Sequence, residues 1–237
     1  MTSIQTLQFD SEGFRLTGDL HLPHAPHPPV IIGCHGLQAN RQSPKQIALA
    51  EACTRQGLAY FRFDHRGCGD SQGNFEEVTS LTARRKDLSA AVAALRDHPG
   101  TGKLLGLFGS SFGGTVVLAL GAEQPVPALV TYAAPINSQT LQKSAVIDAN
   151  GHPILSKTLQ ASLQFDIGDS LGAVRNILIV HGQNDRVVPQ QHARLIYQKA
   201  GEPKKIIIQP GGDHRMSDPK HQQQFLQQFL SWFQNRQ

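Results

Sequence analysis

The chain has 237 residues, 39% hydrophobic and 17% charged, with a formal net charge of +4; this is an ordinary globular composition, and one domain spanning 1–237 is the economical expectation. Basic residues are scattered, with short runs only at Arg84–Lys86 and Lys204–Lys205, which reads as a solvated surface and excludes nucleic acid as an expected partner. No stretch of about 18 apolar residues occurs, and Met1–Asp10 lacks a basic patch followed by an apolar run, so neither a membrane span nor a leader is expected and the cytoplasm is the expected location.

In chain order, Gln5–Phe9 and Phe14–His21 read as a hairpin joined through Asp10–Gly13. The segment His21-Leu-Pro-His-Ala-Pro-His27 is histidine-rich, but its prolines forbid the helix that would set two imidazoles on one face. It reads as a loop, and no metal is expected. Val30–Cys34 is a strand that ends in His35-Gly36-Leu37, and Pro44 opens a helix reaching Thr54. Leu58–Asp64 is the next strand, followed by a loop, Arg66-Gly-Cys-Gly-Asp-Ser-Gln-Gly-Asn74. Leu81–Asp97 has the apolar recurrence of a helix, through Leu88, Val92 and Leu95. Cys34, Cys53 and Cys68, an odd set without disulfide or zinc spacing, read as free thiols.

The second half continues the alternation. The apolar strand Leu104–Phe108 runs into Gly109-Ser-Ser-Phe-Gly113 and then a helical stretch, Thr115–Ala122. Strands follow at Leu129–Ala133, Ile177–Val180 and Ile206–Ile208, and a last helix over about Gln222–Gln234 buries Phe225, Phe229 and either Trp232 or Phe233. Together these elements predict an α/β protein: a mostly parallel eight-stranded sheet flanked by helices, with binding loops at the carboxyl ends of the strands. Only residues 136–169 break the pattern, with a hairpin expected around Asn150-Gly151 and a helix over about Ser156–Phe165. This segment reads as a small lid.

The chemistry concentrates at the strand ends. Gly-x-Ser-x-Gly between a strand and a helix forms a tight corner that exposes a serine, and glycine at Gly109 and Gly113 lets the backbones approach. A second match, Gly69-Asp-Ser-Gln-Gly73, lies in a loop and reads as a turn. Ser111 is therefore the candidate nucleophile. It needs a base, and the base needs an orienting acid. Asp185 follows the strand that ends at Gly182, and His214 stands in the glycine-rich loop after the next strand. Backbone N–H groups at Leu37 and Phe112 could hold an oxyanion, with His35 and Gly36 shaping the loop that carries the first.

Taken together, His35-Gly36, Asp64-His-Arg-Gly-Cys-Gly-Asp-Ser71, Gly109–Gly114, His181–Asp185 and Gly212-Asp-His214 resemble the α/β-hydrolase superfamily over nearly the whole chain. The likeness is to small bacterial esterases and to hydrolases grouped with serine aminopeptidases and cinnamoyl esterases. It implies a triad of Ser111, Asp185 and His214, oxyanion donors at Leu37 and Phe112, no cofactor, and a small-molecule acyl ester as substrate. Where the lipase branch often carries His-Gly-Gly-Gly, this chain has only His35-Gly36-Leu37. The triad alone does not separate esters from thioesters or peptides, and a non-catalytic binding module would have no need of it.

Overall fold

A computed structural model describes residues 2–139 and 156–234. Eight strands form one sheet: β1 (Ser3–Ser11), β2 (Phe14–Leu22), β3 (Val30–Cys34), β4 (Ala59–Phe63), β5 (Leu104–Ser110), β6 (Leu129–Tyr132), β7 (Ile177–Gly182) and β8 (Lys204–Gln209). Their spatial order is β1-β2-β4-β3-β5-β6-β7-β8. The β1–β2 and β2–β4 pairs are antiparallel and the other five pairs are parallel. Glu12 and Gly13, both at positive φ, make the two-residue turn of the β1–β2 hairpin.

The central strands are apolar throughout because both faces are covered. Along β3, Val30, Ile32 and Cys34 join one core while Ile31 joins the other, and β7 divides in the same way, Ile177 and Ile179 against Leu178 and Val180. The first core is closed by α3 (Leu81–Arg96), α4 (Phe112–Glu123) and α6 (Gln191–Lys199). The second is closed by α1 (Pro44–Arg55) and α7 (Pro219–Gln234), the latter through Phe225, Phe229 and Phe233. Period-2 alternation along the strands and the 3.6-residue period of the helices place these residues on facing surfaces.

Several boundaries differ from the sequence expectation. Helix α4 starts at Phe112, directly after Ser111, three residues before the predicted Thr115. The predicted Ser156–Phe165 helix is the shorter α5 (Lys157–Ser162), capped by the Ser156 hydroxyl accepting from the Leu159 N–H. Helix α6, the one-turn α2 (Phe75–Val78) and a 3₁₀ turn at Ser170–Ala173 were not anticipated. The hairpin expected around Asn150-Gly151 lies outside the described residues. Asn137 and Asp166 form an antiparallel bridge, reinforced by Ser138 N–H to the Phe165 carbonyl at 3.0 Å and Ile167 N–H to the Ile136 carbonyl at 2.8 Å.

The chain steps from β3 sideways to β4, then crosses back over β3 to reach β5. That reversal opens a crevice beyond the carboxyl ends of β3 and β5, the position where open α/β sheets bind ligands. Among the described residues, no helix is long and apolar enough to cross a membrane. Cys34, Cys53 and Cys68 are buried free thiols.

Candidate active site

At the end of β5 the chain turns into α4 within a single residue. Ser111 takes φ +53° and ψ −127°, a region costly for any residue with a Cβ. The corner closes because Gly109 and Gly113 have no side chains. A methyl at Gly109 would collide with the Gly113 carbonyl, and one at Gly113 with the carbonyls of Cys34 and His35. The Ser111 N–H donates to the Tyr132 carbonyl at 2.8 Å. These restraints leave the Ser111 hydroxyl partly exposed above the sheet.

The loops after β7 and β8 converge on that hydroxyl. His214 Nε2 lies 3.1 Å from Ser111 Oγ, and His214 Nδ1 lies 2.8 Å from Asp185 Oδ2. With Nδ1–H donating to the carboxylate, Nε2 is left to accept from the serine. Asp185 is held rigidly: its Oδ1 accepts the N–H groups of Val187 and Val188, both at 2.8 Å. Burial by itself would raise its carboxyl, but His181, His214 and the Val188 N–H outweigh that and hold it well below the usual carboxylate range. His181 Nε2, 3.3 Å from Asp185 Oδ2, donates to the Val188 carbonyl at 2.8 Å, a support that sequence reading missed. Asp213, adjacent to His214, instead accepts from the Ser217 N–H and offers its carbonyl to the Tyr132 hydroxyl.

On the other side of the crevice, the loop after β3 brings Gly36 against Ser111. A methyl built on Gly36 would stand 3.6 Å from the Ser111 Cβ. His35 Nδ1 is 2.7 Å from the Gly36 carbonyl, while its Nε2 accepts from the His65 N–H at 3.3 Å. Burial keeps this imidazole neutral, well below the ordinary histidine value. Phe112 opens α4, where the first N–H groups of a helix lack intrahelical partners. Above lies an apolar roof: Leu159 and Leu163 pack with Phe112, flanked by Leu37, Phe75, Leu81 and Phe165.

Two cations near the site belong to none of the motifs picked out in the sequence. Lys45 reaches from α1 to place Nζ 3.1 Å from Ser110 Oγ and 4.0 Å from the Tyr132 ring centre. Burial pushes its ammonium down to about 8, opposed by Asp213 and Asp185. Arg84 corrects the surface reading of the Arg84–Lys86 run, for it is fully buried. Leu81, Arg84, Leu88, Ala91 and Leu95 follow one another at helical spacing on the inward face of α3, which is why only Arg84 of that run points in. Arg85 pairs with Glu123 and Lys86 with Glu12.

Known proteins agree with this architecture. "Uncharacterized protein YfhR" of Escherichia coli O157:H7 is 27% identical over 222 residues, covering 90% of this chain and 74% of its own. The mitochondrial palmitoyl-protein thioesterase ABHD10 of Mus musculus is 28% identical over 214 residues, 80% of this chain and 70% of its own. Est1E from Butyrivibrio proteoclasticus, solved with ferulic acid bound, superposes with a TM-score of 0.82 at 20% identity over 97% of this chain and 98% of its own. The family model described as "Serine aminopeptidase, S33" matches residues 25–164, a stretch that contains Gly36, Arg84 and Ser111 and ends before Asp185 and His214. With that match covering more than half of the sequence, the chain belongs to the serine aminopeptidase S33 family and is a hydrolase of the α/β-hydrolase superfamily.

Proposed function

We propose that this protein hydrolyses carboxylic esters of small molecules through an acyl-enzyme on Ser111. The observation that carries the reading is the continuous hydrogen-bond chain Ser111–His214–Asp185, at 3.1 and 2.8 Å. Ser111 Oγ attacks the acyl carbon while its proton passes to His214 Nε2, and the carbonyl oxygen becomes an oxyanion held by the Leu37 and Phe112 N–H groups. The tetrahedral adduct collapses as His214 gives that proton to the departing alkoxide. Water then repeats the sequence, with His214 taking its proton and returning it to Ser111 Oγ as the acid leaves. Asp185 keeps Nδ1 protonated and stabilises the imidazolium formed in each half.

The same groups would cleave a thioester, and two observations favour keeping that reading alongside. One is the likeness to a palmitoyl-protein thioesterase; the other is the apolar roof over Phe112. We read the 136–169 segment as a lid on a single domain spanning 1–237, with an apolar acyl group beneath α5. The free thiols accord with a cytoplasmic setting. Initial rates on matched oxygen esters, thioesters and amino-acid amides of one acyl group test the assignment. Fastest turnover of the oxygen ester, abolished in Ser111→Ala, is the expected result. Higher kcat/KM on the thioester would transfer the assignment to the second reading, and inertness toward all three would overturn both.

A further inference from the structure

A charged side chain buried without a counter-ion is expensive, so its surroundings show what compensates it. Arg84 has 0% exposure and forms no salt bridge among the described residues. Its Nη1 donates to the Gly36 carbonyl at 3.2 Å, and its Nη2 to the Leu37 carbonyl at 2.8 Å. Nη2 also lies 3.3 Å from Cys68 Sγ, and the guanidinium carbon stands 5.4 Å from the centre of the Phe112 ring. Its Nε makes no hydrogen bond. Asp87, one turn along α3, accepts instead from the Arg66 N–H and Nε.

The contacts converge on one feature, since Arg84 touches both residues to which the esterase reading assigns the oxyanion donors. In a trans peptide the C=O and the following N–H point in opposite directions. Drawing the Gly36 carbonyl toward the guanidinium therefore turns the Leu37 N–H the other way. Gly36 itself stands against Ser111, so the outward side of that peptide is the nucleophile's side. The fork of Arg84 spans two successive carbonyls, whereas His35 Nδ1 and the Ala39 N–H, the latter at 3.3 Å, each engage the Gly36 carbonyl alone. A cation behind the peptide also polarises it, strengthening its N–H as a donor when negative charge forms in front.

We propose that Arg84 is the positioning residue of the oxyanion hole, its guanidinium gripping the Gly36 and Leu37 carbonyls so that the Leu37 N–H is aimed at the tetrahedral oxygen. This rests on the esterase reading above. Burial disfavours its charge and Asp87 only partly offsets that, so negative charge on the oxyanion adds a favourable interaction that bound substrate lacks, and Arg84 acts on the transition state more than on bound substrate.

The test compares Arg84→Gln and Arg84→Lys with the parent enzyme and with Arg85→Gln, using a short-chain p-nitrophenyl ester and an alkyl boronic acid as tetrahedral mimic. For Arg84→Gln, kcat should fall about 10²-fold with KM within threefold, as for loss of one oxyanion donor, and boronate affinity should fall in parallel. Arg84→Lys keeps the buried charge but not the fork, and should lose at least about tenfold in kcat by the same logic. Arg85→Gln should match the parent. A folded Arg84→Gln with kcat and boronate affinity within threefold of the parent would overturn the proposal. Should Arg84→Gln not fold, Arg84→Lys decides: parental kcat overturns the proposal, and a KM-independent loss supports it. An inert parent enzyme would instead sink the esterase reading, so the two failures are distinguishable.

Discussion

Ser71 and Ser111 stand at the centre of the same five-residue pattern, yet the fold uses them in opposite ways. Ser71 is buried, its hydroxyl donating to the Asp64 carbonyl at 2.6 Å and accepting the Thr17 N–H at 3.0 Å. The first bond closes the 64–74 loop on its own start, just after β4, and the second ties it to β2. Its flanking glycines take the positive φ, Gly69 at +51° and Gly73 at +110°, and Gly69 also leaves room for the Asp64 carboxylate. At Ser111 the glycines supply closeness only, and the serine itself takes the positive φ. A relaxed serine whose hydrogen bonds are satisfied is a staple. A strained one, left with an imidazole as its acceptor, has the setting that the proposed nucleophile needs.

The largest effect should separate the two serines outright. Ser111→Ala is expected to lower kcat roughly 10⁴- to 10⁶-fold, because the triad acts as a unit. Comparing Ser111→Gly with Ser111→Ala isolates the backbone term. Both lack the hydroxyl, but glycine relieves the φ +53° strain, and its midpoint in chemical denaturation should correspond to about 1 kcal/mol more stability. Equal stability of the two variants would mean that the corner stores no strain.

Asp185→Asn should cost about 10⁴ in kcat by disfavouring the required tautomer of His214. Asp213→Asn, whose carboxylate engages the Ser217 N–H, should cost little in a steady-state assay. The reverse order would displace Asp185 from its role.

Ser71→Ala should leave kcat within twofold but lower stability by about 1–3 kcal/mol, since a buried N–H and a buried carbonyl each lose a partner. Equilibrium urea unfolding reads this directly. A large kcat loss with unchanged stability would reverse the comparison.

A smaller, distributed effect concerns pH. Burial pushes His65 and His192 down to about 4, so the folded protein keeps both neutral while the unfolded chain protonates them near the ordinary value of about 6.5. The unfolded state binds more protons in that window, so stability is full above about pH 6.5 and falls toward pH 4. Asp87 has the carboxylate version of the same sign. Despite burial, His65 and Arg66 hold it at about 2, and its contribution persists above about pH 3.8 and is lost as the pH falls through 2. Melting temperatures between pH 7.5 and 4 should show the histidine part as a steady decline.

What the sequence disclosed follows from how local each signal is. Strands such as Ile177–Gly182 are buried on both sides and announce themselves as apolar runs, and the glycine corner needs no distant partner to be recognised. His214 and Asp185 could be nominated from the sequence because each stands in the short loop after a strand. Arg84 was hidden because a basic triplet looks solvated, and only the line Leu81–Arg84–Leu88–Ala91–Leu95 gives its orientation away. Helix α6 is nine residues long and buries only Ala193 and Ile196 as apolar side chains beside His192, so its short, mostly polar stretch reads as loop. The convergence of Lys45 on Ser110, 65 positions away, is set by packing of α1 on the sheet and has no local signature.

The most direct measurement of the central claim is peptide mapping of a fluorophosphonate adduct by mass spectrometry. Such a reagent phosphonylates only a hydroxyl whose proton a neighbouring base removes and whose adduct oxygen is held by donors. One adduct per chain is expected, on the peptide carrying Ser111, undiminished in Ser71→Ala and absent in His214→Ala. An adduct on Ser71, or none on the folded wild-type protein, would contradict the account.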